Sequence, residues 1–88
     1  TESRELMLYT VNDGKLYSGI IKAMINNLRK HYRKGQYNTD RAIDSWYTVA
    51  TEASNKYNKD FGYSFSVQDR FTVAVELEKY FKEDIETE

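Results

Sequence analysis

No proline interrupts this chain, and three of its four glycines, Gly14, Gly35 and Gly62, fall between stretches in which apolar residues return every three or four positions. Proline and glycine are the strongest local breakers of regular structure, so the long periodic runs between these glycines must be helices. Asn12-Asp13-Gly14 reads as a turn in which Asp13 caps a helix over Lys15 to Lys34, and Gly35 takes the left-handed position just past its end. Leu16, Tyr17, Ile20, Ile21, Met24, Ile25, Leu28 and Tyr32 give this helix a broad apolar face. Gly19 inside it weakens it by roughly 1 kcal/mol relative to alanine.

Beyond the Gly35-Gln36-Tyr37-Asn38 link, Asn38 or Thr39 caps a further helix that runs to about Asp60, with Asp40 in the first turn where the helix dipole favours an anion. Its inner stripe is Ala42, Ile43, Trp46, Val49, Ala50, Ala53 and Tyr57, in which small residues alternate with large ones and let a neighbour approach closely. Phe61-Gly62 ends it. Ser66 with Asp69 three residues later resembles a capping box and opens a last helix through about Ile85. The core face expected there is Phe71, Ala74, Leu77, Phe81 and Ile85, widened by Val67, Val73 and Tyr80. Residues 1–13, with Leu6, Met7, Leu8 and Val11, form a short helix or an ordered arm. The predicted fold class is all-α. A single domain covers 1–88, with residues 14–86 a small antiparallel bundle of three main helices in which chain neighbours pack side by side. Leu28, Trp46, Ala50, Phe71, Leu77 and Phe81 are its expected core.

At 40% apolar and 31% charged, the sequence is too apolar for a disordered chain and too polar for a membrane protein. It has no cysteine, which excludes disulfides, thiolate metal sites and a cysteine nucleophile. With no apolar run of membrane-spanning length and no basic-then-apolar start, the expectation is a cytoplasmic protein without a membrane partner. The single histidine, His31, has no second histidine to complete a zinc site. Asn58, Asp60, Gly62, Ser64, Ser66 and Asp69 resemble a calcium loop only in their alternation, because Tyr63 stands where the loop needs glycine and Asp69 where it needs a bidentate glutamate. No phosphate loop, nucleophile elbow or dinucleotide fingerprint occurs. The residues therefore predict no catalytic group, metal or cofactor.

Charge is distributed unevenly. The formal net charge of −1 combines +6 over residues 15–41, −5 over 42–88 and −2 over 1–14. Lys22, Arg29, Lys30, Arg33, Lys34 and Arg41, interleaved with Tyr32 and Tyr37, are candidates for binding nucleic acid or another anion, since clustered cations release counterions from phosphates and tyrosines stack on bases. The same cations also complement the negative C-terminal end of their own helix. They can equally pack beside the acidic tail, Glu83, Asp84, Glu86 and Glu88, which is itself either a solvated helix end or a mimic of nucleic-acid phosphates. Of eight tyrosines, Tyr17, Tyr32, Tyr57 and Tyr80 fall at or beside core faces, and Tyr9, Tyr37, Tyr47 and Tyr63 fall in links or off-face positions suited to an interface.

The order Asn12-Asp13-Gly14-X-Leu16-Tyr17, Asn27-Leu28, Lys34-Gly35-X-Tyr37, Ala42, Trp46, Ala53, Tyr57, Phe61-Gly62, Phe65-Ser66, Arg70 and Glu76-Leu77 resembles a family of small proteins of tailed bacteriophages and prophages, a domain of unknown function. The likeness spans residues 12–85. It implies a phage accessory protein in the host cytoplasm and brings no active site. The expectation is a non-enzymatic module that binds a macromolecular partner, in the first place a protein, or self-associates. The alternative is a nucleic-acid binder using the basic end.

Overall fold

The computed structural model describes residues 1–87 and contains four helices. Among the described residues there is no strand, and no helix is long and apolar enough to cross a membrane. The N-terminal segment is a helix, α1 (Glu2–Asn12), capped by Thr1, whose hydroxyl accepts the Arg4 N–H at 3.2 Å. Asp13 caps the second helix, its carboxylate accepting the Leu16 N–H at 2.8 Å. This helix, α2, comprises Gly14–Leu16, a π-helical turn at Tyr17–Ile21 and an α-helical body at Lys22–Arg33. It closes in a Schellman motif: the Gly35 N–H donates to the Tyr32 carbonyl at 3.0 Å and the Gln36 N–H to the His31 carbonyl at 2.8 Å. Gly35 sits at φ 70°, where a Cβ would be strained. The third helix, α3 (Thr39–Phe61), is capped by Asn38 through the Arg41 N–H and ended by Gly62 at φ 75°. The last, α4 (Val67–Glu86), starts at Ser66, whose hydroxyl accepts the Asp69 N–H at 3.0 Å.

The π turn explains a departure from the expected α2 face. In an i→i+5 turn, residues five apart come over one another. Leu16 and Ile21 are accordingly both buried, while Tyr17 between them is 45% exposed. From Ile21 the ordinary spacing resumes through Ile25 and Leu28. Tyr32 and Tyr80 are also exposed, whereas Tyr57 packs partly against the core.

The antiparallel hairpin of α3 and α4 is the spine of the bundle. Trp46 stacks on Phe81 with ring centroids 5.1 Å apart, and Ala50, Ala53 and Ala74 keep the two backbones close. Helix α1 lies across both, inserting Leu6 and Thr10; the Thr10 hydroxyl donates to the Leu6 carbonyl at 2.7 Å and so enters the core satisfied. Helix α2 packs more closely on α4 than on α3, its neighbour in sequence, and shares with α3 two depressions that run between them.

Leu28, Trp46, Ala50, Leu77 and Phe81 are buried. Phe71 is not: it is 47% exposed and needs correcting from core to surface. The inner stripe of α4 runs through Val73, Ala74, Leu77, Phe81 and Ile85; Phe71 stands at the edge of that stripe near the start of the helix, where burial begins only at Val73. Val67, expected to widen that stripe, is exposed as well. The stripe holds instead a residue the periodicity passes over, Glu78, which is 3% exposed.

Candidate functional site

The six cations singled out in the sequence do not form one patch. Lys22, Arg29 and Arg33 recur at i, i+7 and i+11 along one flank of α2, and from that flank Arg29 reaches α4. Its guanidinium donates twice to the Asp84 carbonyl, at 2.7 and 3.2 Å, occupying an acceptor in the last turn of a neighbouring helix. A cation of α2 thus complements a helix C-terminus, and the one engaged is that of α4. Arg41 stands on the other flank, lining a small depression between α2 and α3 together with His31. The His31 ring Nδ1 lies 2.9 Å from the Asn27 carbonyl and donates to it. Lys30, Arg33 and Lys34 are exposed, and among the described residues none of the six forms an ion pair. Glu83, Asp84 and Glu86 end α4 at this same end of the bundle; Glu88 lies outside the described residues.

Beneath the basic end, Tyr37 leaves the α2–α3 link to reach α4, where its hydroxyl donates to the buried Glu78 carboxylate at 2.7 Å. Burial, then the bond to Glu78 and its charge, push the Tyr37 phenol well above its ordinary range. Lys82, one turn along α4, approaches the same carboxylate at 3.9 Å.

A different surface lies at the opposite end, about 30 Å away along α3 if measured from Arg41 to Phe61. Tyr9 from α1, Tyr57 and Phe61 from the last turns of α3, and Tyr63 and Phe65 from the α3–α4 link form a continuous set of rings. Successive centroids lie between 4.7 and 5.0 Å apart for Tyr9–Tyr57, Tyr57–Phe61, Tyr57–Phe65 and Tyr63–Phe65. Only Phe65 is buried; Phe61 is 66% exposed, and Tyr63 and the adjoining Leu8 are exposed. Two shallow depressions of about 410 and 420 Å³ open on this face, and both are lined by Glu5 and Tyr57. Glu2 lines one and Asp13 the other, and among the described residues no lysine or arginine lines either. Burial and the carboxylates of Glu2 and Asp69 push the Tyr63 phenol up.

Lys56 ties this face together from its edge. Its ammonium sits 3.0 Å from Asp13, 3.6 Å from Asp60 and 3.2 Å from the Tyr9 hydroxyl, which in turn donates to Asp60 at 3.2 Å. The Asp13 carboxyl is held below its ordinary range by the Leu16 N–H first and by Lys56 second. The Asp13 and Tyr9 contacts raise Lys56, which keeps it charged and unsuited to act as a nucleophile or base. Among the described residues no three histidine, aspartate or glutamate side chains converge as a metal site would require.

Sequence reasoning missed both the aromatic face and Glu78. Tyr57 and Phe61 stand at i, i+4 on α3, and that pairing is visible in the sequence, but Tyr9 and Leu8 join them from some 50 residues away only once α1 has docked. No family model matches the chain, and no curated protein and no solved structure matches it.

Proposed function

We propose that this chain is a non-enzymatic accessory module, of the phage type its sequence resembles, which binds a partner protein through the α1–α3 aromatic face. One observation carries the reading: Leu8, Phe61 and Tyr63 are left exposed together, on a ring cluster that continues into the core. Isolated surface apolar residues need no explanation, but contiguous ones backed by a rigid core are the usual form of a protein-binding surface, and tyrosine and phenylalanine are enriched there. Cytoplasmic action inside a host cell follows from the same resemblance. The test compares affinity capture by the parent and by a Phe61→Ser/Tyr63→Ser double variant of unchanged melting temperature. A protein retained by the parent and lost from the variant is the expected result; identical captures retire the face.

A second reading, nucleic-acid binding through Lys22, Arg29, Lys30, Arg33, Lys34 and Arg41, is favoured by the exposure of Lys30, Arg33 and Lys34 without ion-pair partners among the described residues. Against it, Arg29 is engaged on α4 and the acidic end of α4 stands alongside. Retardation of single- or double-stranded nucleic acid that weakens steeply with salt would support it, with a slope reduced by roughly 0.7–0.9 for each phosphate contact removed.

A further inference from the structure

We infer that the aromatic face takes a basic segment of its partner protein, seating cationic side chains in the two depressions that meet at Glu5 and Tyr57. This rests on the reading of that face as the binding surface and adds the chemistry of what it binds. The rings supply a flat, preorganised apolar floor, whose order comes from edge-to-face packing rather than from the partner: Tyr9 meets both Tyr57 and Phe61 at an interplanar angle of 81°. Faces of tyrosine and phenylalanine attract an ammonium or guanidinium, and the molecule shows such a contact elsewhere, with the Arg70 guanidinium carbon 5.6 Å from the Tyr47 ring centre.

The charge around the rings selects the sign of the occupant. Glu5 borders both depressions, Glu2 and Asp13 border one each, and Asp60 stands beside Tyr9. Asp13 and Asp60 already share Lys56, whereas Glu2 and Glu5 are exposed and make no ion pair among the described residues. Two free carboxylates beside exposed rings would repel phosphate and an anionic membrane, and would leave a purely apolar helix with charges beneath it unmatched. A lysine- or arginine-bearing segment satisfies both features together. Of the neighbouring cations, Lys59 lies about 160° round α3 from Tyr57, and Arg4, next to Glu5 in sequence, lines a separate depression with Met7, Thr72 and Glu76.

The test uses fluorescently labelled octa-arginine, octa-lysine and octa-glutamate peptides, followed by anisotropy with the full chain at low ionic strength, where attraction between charges reaches furthest. Both cationic peptides are expected to bind and the acidic one not. Glu2→Gln/Glu5→Gln should weaken binding at least about tenfold, and so should Phe61→Ala, which changes no charge and removes an exposed ring. Glu83→Gln/Glu86→Gln removes as many negative charges from the far end and should leave binding within about twofold. Should Phe61→Ala prove unstable, Leu8→Ala on the same face takes its place. No binding of the cationic peptides, equal weakening by the two glutamate pairs, or indifference to the loss of Phe61 overturns the inference. If the parent instead sediments as an oligomer that Phe61→Ala dissociates, the occupant is a second copy and the inference is wrong. Loss of capture by Phe61→Ser/Tyr63→Ser without any binding of cationic peptides would leave the face standing and deny its basic partner.

Discussion

The two ends of the bundle dispose of their conspicuous side chains in opposite ways. At the basic end, features that look like a binding site in the sequence are partly used by the fold: Arg29 occupies an α4 carbonyl, and Tyr37 is spent on Glu78. At the aromatic end, residues that look like ordinary helix ends and links leave a backed apolar surface uncovered. Local charge density is therefore a poor guide to a partner-facing surface in a bundle, because helix termini consume cations, whereas an exposed ring cluster has no such internal use.

The core that holds the two ends apart gives the largest effect. Trp46 is fully buried against Phe81, so Trp46→Ala should cost about 3–5 kcal/mol, a large part of the stability of a small domain, and abolish both ends together. The Trp46 indole N–H is buried with no hydrogen-bond partner among the described residues. Trp46→Phe removes that orphan donor while keeping a ring on Phe81, and denaturant melts should show a much smaller loss than for alanine.

Tyrosine hydroxyls sharpen the contrast next. Tyr37→Phe removes the hydrogen bond to the buried Glu78 carboxylate, leaving it Lys82 at 3.9 Å, and should cost about 1–3 kcal/mol. Tyr63→Phe, at the exposed end, should change stability by less than about 0.5 kcal/mol. Equal losses in thermal melts would mean the basic end is no more consumed by the fold than the aromatic one. Arg29→Gln should cost only about 0.3–1 kcal/mol, as loss of a helix-end cation does, and any larger loss would point to a deeper role for the α2–α4 contact.

Acid titration probes the edge of the aromatic face. The Asp13 carboxyl is depressed in the folded chain, so its contribution is fully present above the ordinary aspartate value near 3.9 and is lost as pH falls through the lower folded value. Asp13→Asn keeps a capping side chain but gives up the Lys56 pair, so its melting temperature should fall less steeply below about pH 4 than that of the parent.

Much of the fold was legible because its boundaries are local chemistry. Asp13, Asn38 and Ser66 each cap a helix through the N–H three residues on, and Gly35 and Gly62 adopt the positive φ that ends a helix. What was not legible depends on packing at a distance. The π turn moves Tyr17 off the buried face without any forbidden residue announcing it, and α2 packs more closely on α4 than on its chain neighbour. Glu78 sits at core spacing between Ala74 and Phe81, and a buried glutamate is tolerated there because Tyr37 arrives from a link to donate to it and Lys82 lies one turn on. The cationic residues were legible as a run, but their division between two flanks of α2 follows from the wheel and from Arg29's partner; the aromatic face needed α1 docked on α3.

The smallest effect on stability is also the sharpest test of the comparison. Phe61 ends α3 with most of its ring in solvent, so Phe61→Ser gives up little buried area and should leave the melting temperature within about 2 °C of the parent, on the scale by which 1 kcal/mol shifts a domain of this size by about 4–8 °C. A ring kept exposed at the edge of a packed cluster, at no benefit to folding, is what distinguishes a surface reserved for a partner from one that completes the core. A drop comparable to that of Tyr37→Phe would show that Phe61 shields Tyr57 and Phe65 from water and is structural. The two ends would then differ only in which side chains the fold employs, and the aromatic end would lose its claim to a partner.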